Sequence, residues 1–169
     1  MVRGRKTVVC AALAVGAVVL GTLTDYDVPA GPFAGSGPCA DVVAGLPGAL
    51  LGQGRDTVGG AGAAGWGGGD VVLRCGVRPL APTVDTCVNV DGVDWVLDDG
   101  RAGRSGVWVF TTYGREPAVE VAFSGGSRSA GDALIAVNNG VRGSRRRPSA
   151  WRWATREGAP REGGACAFG

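Results

Sequence analysis

The chain has 169 residues, of which 17 are basic and 15 acidic, giving a formal net charge of +2. It contains no histidine, and all of its basic residues are arginines except Lys6. Catalysis by Ser–His or Cys–His pairs is therefore excluded within this chain, and the cysteine spacing does not suit a zinc site. The length fits one domain with some additional chain.

The N-terminus carries the clearest signal in the sequence. Arg3, Arg5 and Lys6 precede an uncharged, apolar run over residues 7–24. This pattern predicts an export signal or a membrane anchor whose basic end stays in the cytoplasm. The run is long for a signal core, so we expect a single-pass protein of the cell membrane with its domain outside. The alternative is a secreted protein, cleaved near Ala30.

Charge and composition divide the rest of the chain. We predict that residues 1–30 form the signal or anchor segment and the start of a linker, and that 31–37 complete this Pro- and Gly-rich linker. Residues 38–140 hold 11 acidic and 7 basic residues and are predicted to form the globular domain. Residues 141–169 hold 7 arginines and 2 glutamates and are predicted to form a basic, largely disordered tail. Trp151 and Trp153 within the tail either contact an anionic surface or have no function.

Hydrophobic periodicity predicts an α+β fold. The expected order is a helix over residues 40–51, an irregular Gly-rich stretch over 52–69, an antiparallel meander of about four strands, and a second helix over 129–137, with both helices packed on one face of the sheet. The strands are predicted at 71–77, 87–97, 107–113 and 118–123. Asp91-Gly92 makes the strand at 87–97 either a tight hairpin or one bulged strand. Residues 98–106 are predicted to form a polar loop.

Four cysteines follow the apolar run: Cys39, Cys75, Cys87 and Cys166. An even number of cysteines on the oxidising side of a membrane predicts disulfides. We favour Cys39–Cys75 with Cys87–Cys166. Pairing of Cys75 with Cys87 across a hairpin is the alternative.

Several ordered motifs resemble a known family. They are Cys39-Ala40 with Leu46-Pro47, Trp66-Gly67, the stretch 73–77 (LRCGV), 90–95 (VDGVDW) and 113–121 (YGREPAVEV). In this order and spacing they resemble the actinobacterial family catalogued as domain of unknown function 3515, over about residues 38–140. The resemblance implies an exported or membrane-anchored protein and assigns no activity.

A candidate ligand site follows from polar and aromatic residues on the strands. Trp66, Arg74, Asp94, Tyr113 and Arg115 would form a groove for a sugar or an anionic ligand if they converge. The alternative for the tryptophans is ordinary core packing. Asp91, Asp94, Asp98 and Asp99 could form a cation site, but their spacing does not match a calcium loop, and solvated turn acids are the simpler interpretation. Arg74 and Glu120 either pair across the open sheet face or are solvated.

The sequence therefore predicts a binding or scaffolding module that is tethered by residues 7–24 or secreted, with an envelope protein or glycan as its partner. No catalytic set, metal site, cofactor or nucleic-acid partner is predicted. One alternative is a glycan-acting enzyme that uses carboxylates alone, with Asp91 or Asp94 and Glu120. Another is an accessory subunit of an envelope complex.

Overall fold

The computed structural model describes residues 26–124 and 130–146. Within them lie three helices: α1 (Gly37–Ala44), α2 (Asp99–Ser105) and α3 (Ala130–Val141). The main sheet is antiparallel, with strand order β5-β6-β11-β9-β8-β7. Its strands are β5 (Ala63–Trp66), β6 (Val71–Val77), β7 (Cys87–Val90), β8 (Val93–Leu97), β9 (Trp108–Thr112) and β11 (Ala118–Phe123).

Three short strand pairs surround this sheet. They are β1 (Tyr26–Asp27) with β4 (Val58–Gly59), β2 (Ala49–Leu50) with β3 (Gln53–Gly54), and β10 (Arg115–Glu116) with β12 (Arg145–Arg146). The α+β class is therefore confirmed. The predicted four strands and two helices were too few, because the described residues hold a six-stranded sheet and three helices.

One face of the sheet packs against α1 and α3. Trp95, Val121 and Leu73 on the strands, Val42 on α1 and Leu134 on α3 belong to one core and are at most 1 % exposed. Alternate residues of β6 and β11 point into it, as the sequence pattern predicts. Helix α2 contributes no buried residue and does not join this core.

The first helix is displaced from its predicted position at residues 40–51. It begins at Gly37, with Pro38 in its first turn, and it ends before Gly45. Proline is tolerated in the first turn, where its missing N–H has no helical partner, whereas Pro47 cannot continue a helix. The apolar residues beyond that point still pack: Leu46 and Leu50 are buried, with Leu50 in β2.

Two segments predicted to be irregular contain regular structure. The Gly-rich stretch 52–69 holds β3, β4 and β5. Residues 98–106 hold α2, where the Asp98 side chain accepts a hydrogen bond from the Arg101 N–H at 2.7 Å and so caps the helix. Neither the strands within 52–69 nor α2 was predicted, because both segments are rich in glycine, which lowers helix and strand propensity alike.

The segment containing Asp91-Gly92 is a hairpin, and the alternative of one bulged strand was wrong. β7 and β8 pair in register from Cys87–Val96 to Val90–Val93. Asp91 and Gly92 both have positive φ, at 48° and 78°. This is the backbone that the two-residue turns of tight hairpins need, and an Asp-Gly pair tolerates it.

Chain on either side of the predicted 38–140 domain packs against the fold. Ala34, in the predicted linker 31–37, is 5 % exposed. Its neighbour Phe33 donates its N–H to the carbonyl of Gly76, at 2.9 Å. Helix α3 runs to Val141, beyond its predicted end, and Ser144 is buried.

Other predictions fall on residues that the structure does not describe. The predicted anchor, residues 7–24, and the tail beyond Arg146 lie outside the described residues. Among residues 26–124 and 130–146, no helix is long and apolar enough to cross a membrane.

A disulfide joins α1 to the centre of β6. Cys39 and Cys75 are bonded, both are fully buried, and 36 positions separate them in sequence. The predicted Cys39–Cys75 pair is confirmed, and the alternative Cys75–Cys87 pair was wrong. Cys87 also takes part in a disulfide, while its predicted partner, Cys166, lies outside the described residues.

Candidate functional site

Some of the predicted site residues meet at one end of the sheet, which we call the turn end. It comprises the β7–β8 turn (Asp91 and Gly92), the adjoining ends of β8 and β9, and the pair β10–β12. Tyr113 donates its backbone N–H to the carbonyl of Asp94, at 2.8 Å. Arg115, two residues further on, reaches across to Gly92. Asp94, Tyr113 and Arg115 are therefore neighbours.

Asp94 is buried although it carries an acidic side chain. It is 7 % exposed, and its Oδ1 accepts a hydrogen bond from Asn89 Nδ2 at 2.6 Å. The Oδ1 of Asn89 accepts in turn from the N–H of Gly92, at 3.1 Å. A buried carboxylate needs such donors to offset its lost hydration. The hydrogen bonds that run from Asp94 through Asn89 to Gly92 also hold the hairpin turn in place.

Arg115 is the most buried charged side chain of the turn end, at 6 % exposure. Its Nη1 donates to the carbonyl of Ser144 and its Nη2 to the carbonyl of Gly92, each at 3.1 Å. It thereby links the segment after α3 to the hairpin turn. Gly92, Asp94, Arg115 and Glu116 each make a further interaction besides those named here.

Helix α3 is held to the same hairpin by residues that sequence reasoning missed. Asn138 is fully buried; it donates Nδ2 to the carbonyl of Val90 at 2.7 Å and accepts from Trp95 Nε1 at 3.2 Å. Arg142 donates to the carbonyl of Asp91 at 2.9 Å and forms an ion pair with its carboxylate at 3.4 Å. The position of Asn138 on the apolar side of a helix was an available signal, because a polar residue there needs a partner.

Arg74 and Trp66 do not join this group. Arg74 pairs with Glu120 at 2.7 Å on the face of the sheet opposite α1 and α3. Trp66 belongs to the core on the helix side, where its Nε1 donates to the carbonyl of Pro47 at 3.2 Å. The five predicted residues therefore do not line one groove, since Trp66 and Arg74 lie on different faces.

The four clustered aspartates serve separate local roles. Asp98 caps α2, and Asp99 Oδ2 accepts from both the N–H and the hydroxyl of Thr86, at 3.0 and 2.8 Å. Asp94 binds Asn89, and Asp91 pairs with Arg142. Among the described residues, no group of three or more metal-ligating side chains occurs.

The carboxylates proposed for glycan cleavage are spread over the sheet. Asp94 and Glu120 lie on the same face, but β9 separates their strands and their register differs by two residues. Strand spacing and rise put their Cα atoms about 12 Å apart. Glu120 is held by Arg74, on the side of β11 away from Asp94. Each of these two carboxylates thus already has a partner within the domain, Asn89 for Asp94 and Arg74 for Glu120.

A second polar cluster lies at the β5 edge of the sheet. Asp56 accepts hydrogen bonds from the hydroxyl of Tyr26 at 2.9 Å and from the N–H groups of Gly68 and Gly69 at 3.1 Å. Both glycines have positive φ, which lets two successive N–H groups face one carboxylate. Burial, the hydrogen bond to Asp56 and the charge of Asp56 together raise the pKa of Tyr26 to about 12.

This shift predicts a change of stability at alkaline pH. Because the folded pKa of Tyr26 lies above its ordinary value of 10.0, its stabilising effect is complete below that value and is lost as the pH rises to about 12. The chain has two tyrosines, so an ultraviolet titration of phenolate absorbance resolves this step. We expect Tyr26→Phe to remove the step near pH 12 and to make unfolding less dependent on pH in that range. A step that persists in Tyr26→Phe would assign the shift to another group.

No curated protein and no solved structure matches the chain. A family model described as "Protein of unknown function (DUF3515)" matches residues 6–144. The match spans most of the chain, including the three helices, the six-stranded sheet and the Cys39–Cys75 disulfide. The chain therefore belongs to the DUF3515 family of proteins of unknown function.

Proposed function

We propose that the protein is an extracytoplasmic binding or scaffolding module of the cell envelope, tethered by residues 7–24 or released after cleavage near Ala30. The observation that carries the proposal is the buried Cys39–Cys75 disulfide. Structural disulfides persist in oxidising compartments and are rare in the cytosol of mesophilic organisms. A disulfide in the domain is consistent with the export that the basic and apolar N-terminus predicts.

The turn end is the surface that best supports recognition. Asp91 and Arg142 keep about half of their side-chain surface exposed, at 52 % and 49 %. Asn89 and Glu116 are exposed beside them, and Tyr113 is half-buried. Acidic, basic, amide and aromatic groups thus share one surface on a rigid hydrogen-bonded base. Such a mixed surface suits a polar partner, such as a glycan or a polar protein surface.

Binding rather than catalysis is favoured by what these polar groups already do. The carboxylates of Asp94, Asp98, Asp99 and Glu120 each accept hydrogen bonds that hold a turn, a helix end or a strand pair. They act as structural acceptors, and the exposed side chains around them present a fixed surface. Identifying the partner decides whether the protein acts as an independent module or as a subunit of a larger envelope complex.

A pair of matched arginine variants tests this surface. Arg142→Ala removes an exposed charge at the turn end, and Arg101→Ala removes one from α2, at the opposite end of β8 and β9. We expect Arg142→Ala to weaken capture of cell-wall glycan or solubilised envelope proteins about 5-fold or more, in the range of a useful interface contact. Arg101→Ala should bind like the wild type.

The stability of both variants serves as the control. The pair Arg142–Asp91 is exposed, so its loss should cost less than about 1 kcal/mol of unfolding free energy. A binding defect without unfolding is then a surface effect. Equal capture by wild type, Arg142→Ala and Arg101→Ala would reject the turn end as the binding surface.

A further inference from the structure

The chain joins the fold almost directly after the apolar run. The run covers residues 7–24, and β1 begins at Tyr26. β1 pairs in parallel with β4, and the N–H of Val28 continues the pairing by donating to the carbonyl of Gly59 at 3.0 Å. Val28 is also buried, at 6 % exposure. The residues that follow the run therefore belong to the domain and do not form a free linker.

Two glycines let this segment, residues 26–34, lie close to the rest of the domain. A Cβ at Gly60 would meet the carbonyl of Val28. A Cβ at Gly76 would meet the backbone of Ala34. Both glycines have positive φ, at 110° and 81°, which other residues rarely adopt. The domain is therefore shaped to receive the segment at both of its ends.

A side-chain cluster fixes the start of the segment. The carboxylate of Asp56 accepts hydrogen bonds from the hydroxyl of Tyr26 and from the N–H groups of Gly68 and Gly69. It thereby joins β1 to the turn between β5 and β6. We call β1, β4 and this turn at residues 67–69 the entry edge of the domain.

Cleavage near Ala30 would cut through the segment. It would separate β1 from the domain, remove the buried Val28 and leave Asp56 without the hydroxyl of Tyr26. The backbone groups of β4 that pair with β1 would also lose their partners. The domain is therefore complete only when residues 26–30 stay attached to it.

Little chain lies between the run and the entry edge. The run has 18 residues, close to the minimum of about 17 for a membrane span, so it has no residues to spare for a linker. The two steps from Thr24 to Tyr26 cover at most about 7 Å. The headgroup layer is about 5–8 Å thick on each side of a bilayer. With the run in the membrane, Tyr26 lies in or just above this layer, where tyrosine is enriched.

We propose that the protein keeps its N-terminal run and that the entry edge lies against the lipid headgroups. The inference rests on the proposed function for the export of the domain and for the membrane location of residues 7–24. It decides between the tethered and the released form in favour of the tethered one. The opposite edge strand, β7, is five strand spacings or about 24 Å from β5. The β7–β8 turn thus stays clear of the bilayer and open to a partner.

The N-terminus of the full-length protein tests its retention. Protein carrying a C-terminal affinity tag is purified from the membrane fraction and from the medium, and its intact mass is measured. We expect protein in the membrane fraction whose mass includes the run and residues 26–30. A mature chain that begins at Gly31, or that otherwise lacks the run, would overturn the inference. The released form of the proposed function would survive that result.

Amide hydrogen exchange of the same protein in detergent micelles tests whether residues 26–34 belong to the domain. The N–H groups of Val28 and Phe33 donate to carbonyls of the fold at 3.0 and 2.9 Å. We expect them to exchange at least 10-fold more slowly than the N–H of Val84, which is fully exposed in the loop before β7. Equally fast exchange at the three positions would identify a flexible linker and overturn the inference.

Fluorescence quenching in vesicles tests which edge faces the bilayer. Thr57 is exposed next to β4, and Val84 is exposed next to β7, so neither Thr57→Cys nor Val84→Cys replaces a buried side chain. Each full-length variant is labelled with a small fluorophore and placed in vesicles of phosphatidylcholine and phosphatidylglycerol that contain a lipid with a nitroxide on its headgroup. The unsubstituted protein gives the background.

We expect the label at position 57 to be quenched at least 3-fold more strongly than the label at position 84. Equal quenching, or stronger quenching at position 84, in protein that retains the run would overturn the contact between the entry edge and the headgroups. Export is tested separately, by labelling in intact cells, so a failure of the proposed function is distinguishable from a failure of this inference.

Discussion

Replacing Cys39 and Cys75 together by alanine should produce the largest loss of stability in this protein. The bond closes a loop of 36 positions, and loop-closure entropy puts its contribution at about 4 kcal/mol. Both cysteines are fully buried, so the double variant loses packing as well as the cross-link. Since α1 is joined to β6 through this bond, we expect α1 to exchange its amide hydrogens faster. Denaturant unfolding followed by tryptophan fluorescence measures the change.

The redox state provides the control for this prediction. Wild-type protein should lose at least as much stability on reduction, whereas the double variant should lose only the contribution of the Cys87 disulfide. A double variant within about 1 kcal/mol of the oxidised wild type would contradict the structural role of the Cys39–Cys75 bond.

The second large effect is expected at Asn138, which links α3 to the β7–β8 hairpin. Asn138→Ala leaves the indole N–H of Trp95 and the carbonyl of Val90 without this partner and opens a small cavity. Each buried unsatisfied group costs about 1–3 kcal/mol, so we expect a total loss of about 3 kcal/mol. The change is measured as a shift of the denaturant midpoint at constant slope.

Asn139 offers a matched control one position further along the same helix. It is exposed, so Asn139→Ala should change the unfolding free energy by less than about 0.5 kcal/mol. Equal effects at the two positions would show that the hydrogen bonds of Asn138 contribute little to the stability.

Much of the sheet could be predicted because its strands carry strong local patterns. Val71, Leu73 and Cys75 alternate with less buried residues on β6, and Val119, Val121 and Phe123 do so on β11. β5 could not be found in the same way. Its sequence Ala-Ala-Gly-Trp has no alternation and is buried throughout, so its strand conformation depends on pairing with β6 and on contacts that are distant in sequence.

The candidate site was harder to predict than the fold. Arginine is rarely buried, so the sequence gives no reason to place Arg115 beneath the surface. Its partners are the backbone carbonyls of Gly92 and Ser144. Contacts to backbone atoms cannot be recognised from the pattern of side chains in a sequence. Trp66 was a candidate for the same groove as Arg74, with core packing as the alternative, and without a recognised β5 its face of the sheet could not be assigned. The Asp91-Gly92 turn, by contrast, followed from local turn chemistry alone.

In the proposed export of the protein, the disulfide-linked domain lies outside the membrane while the N-terminus stays inside. Val84 is fully exposed in the loop before β7, and Gly4 lies between the N-terminal basic residues. Single variants Val84→Cys and Gly4→Cys are labelled in intact cells with a membrane-impermeant maleimide, with the wild type as background. We expect Val84→Cys to be labelled in intact cells and Gly4→Cys only after lysis. Labelling of Val84→Cys that requires lysis would contradict it.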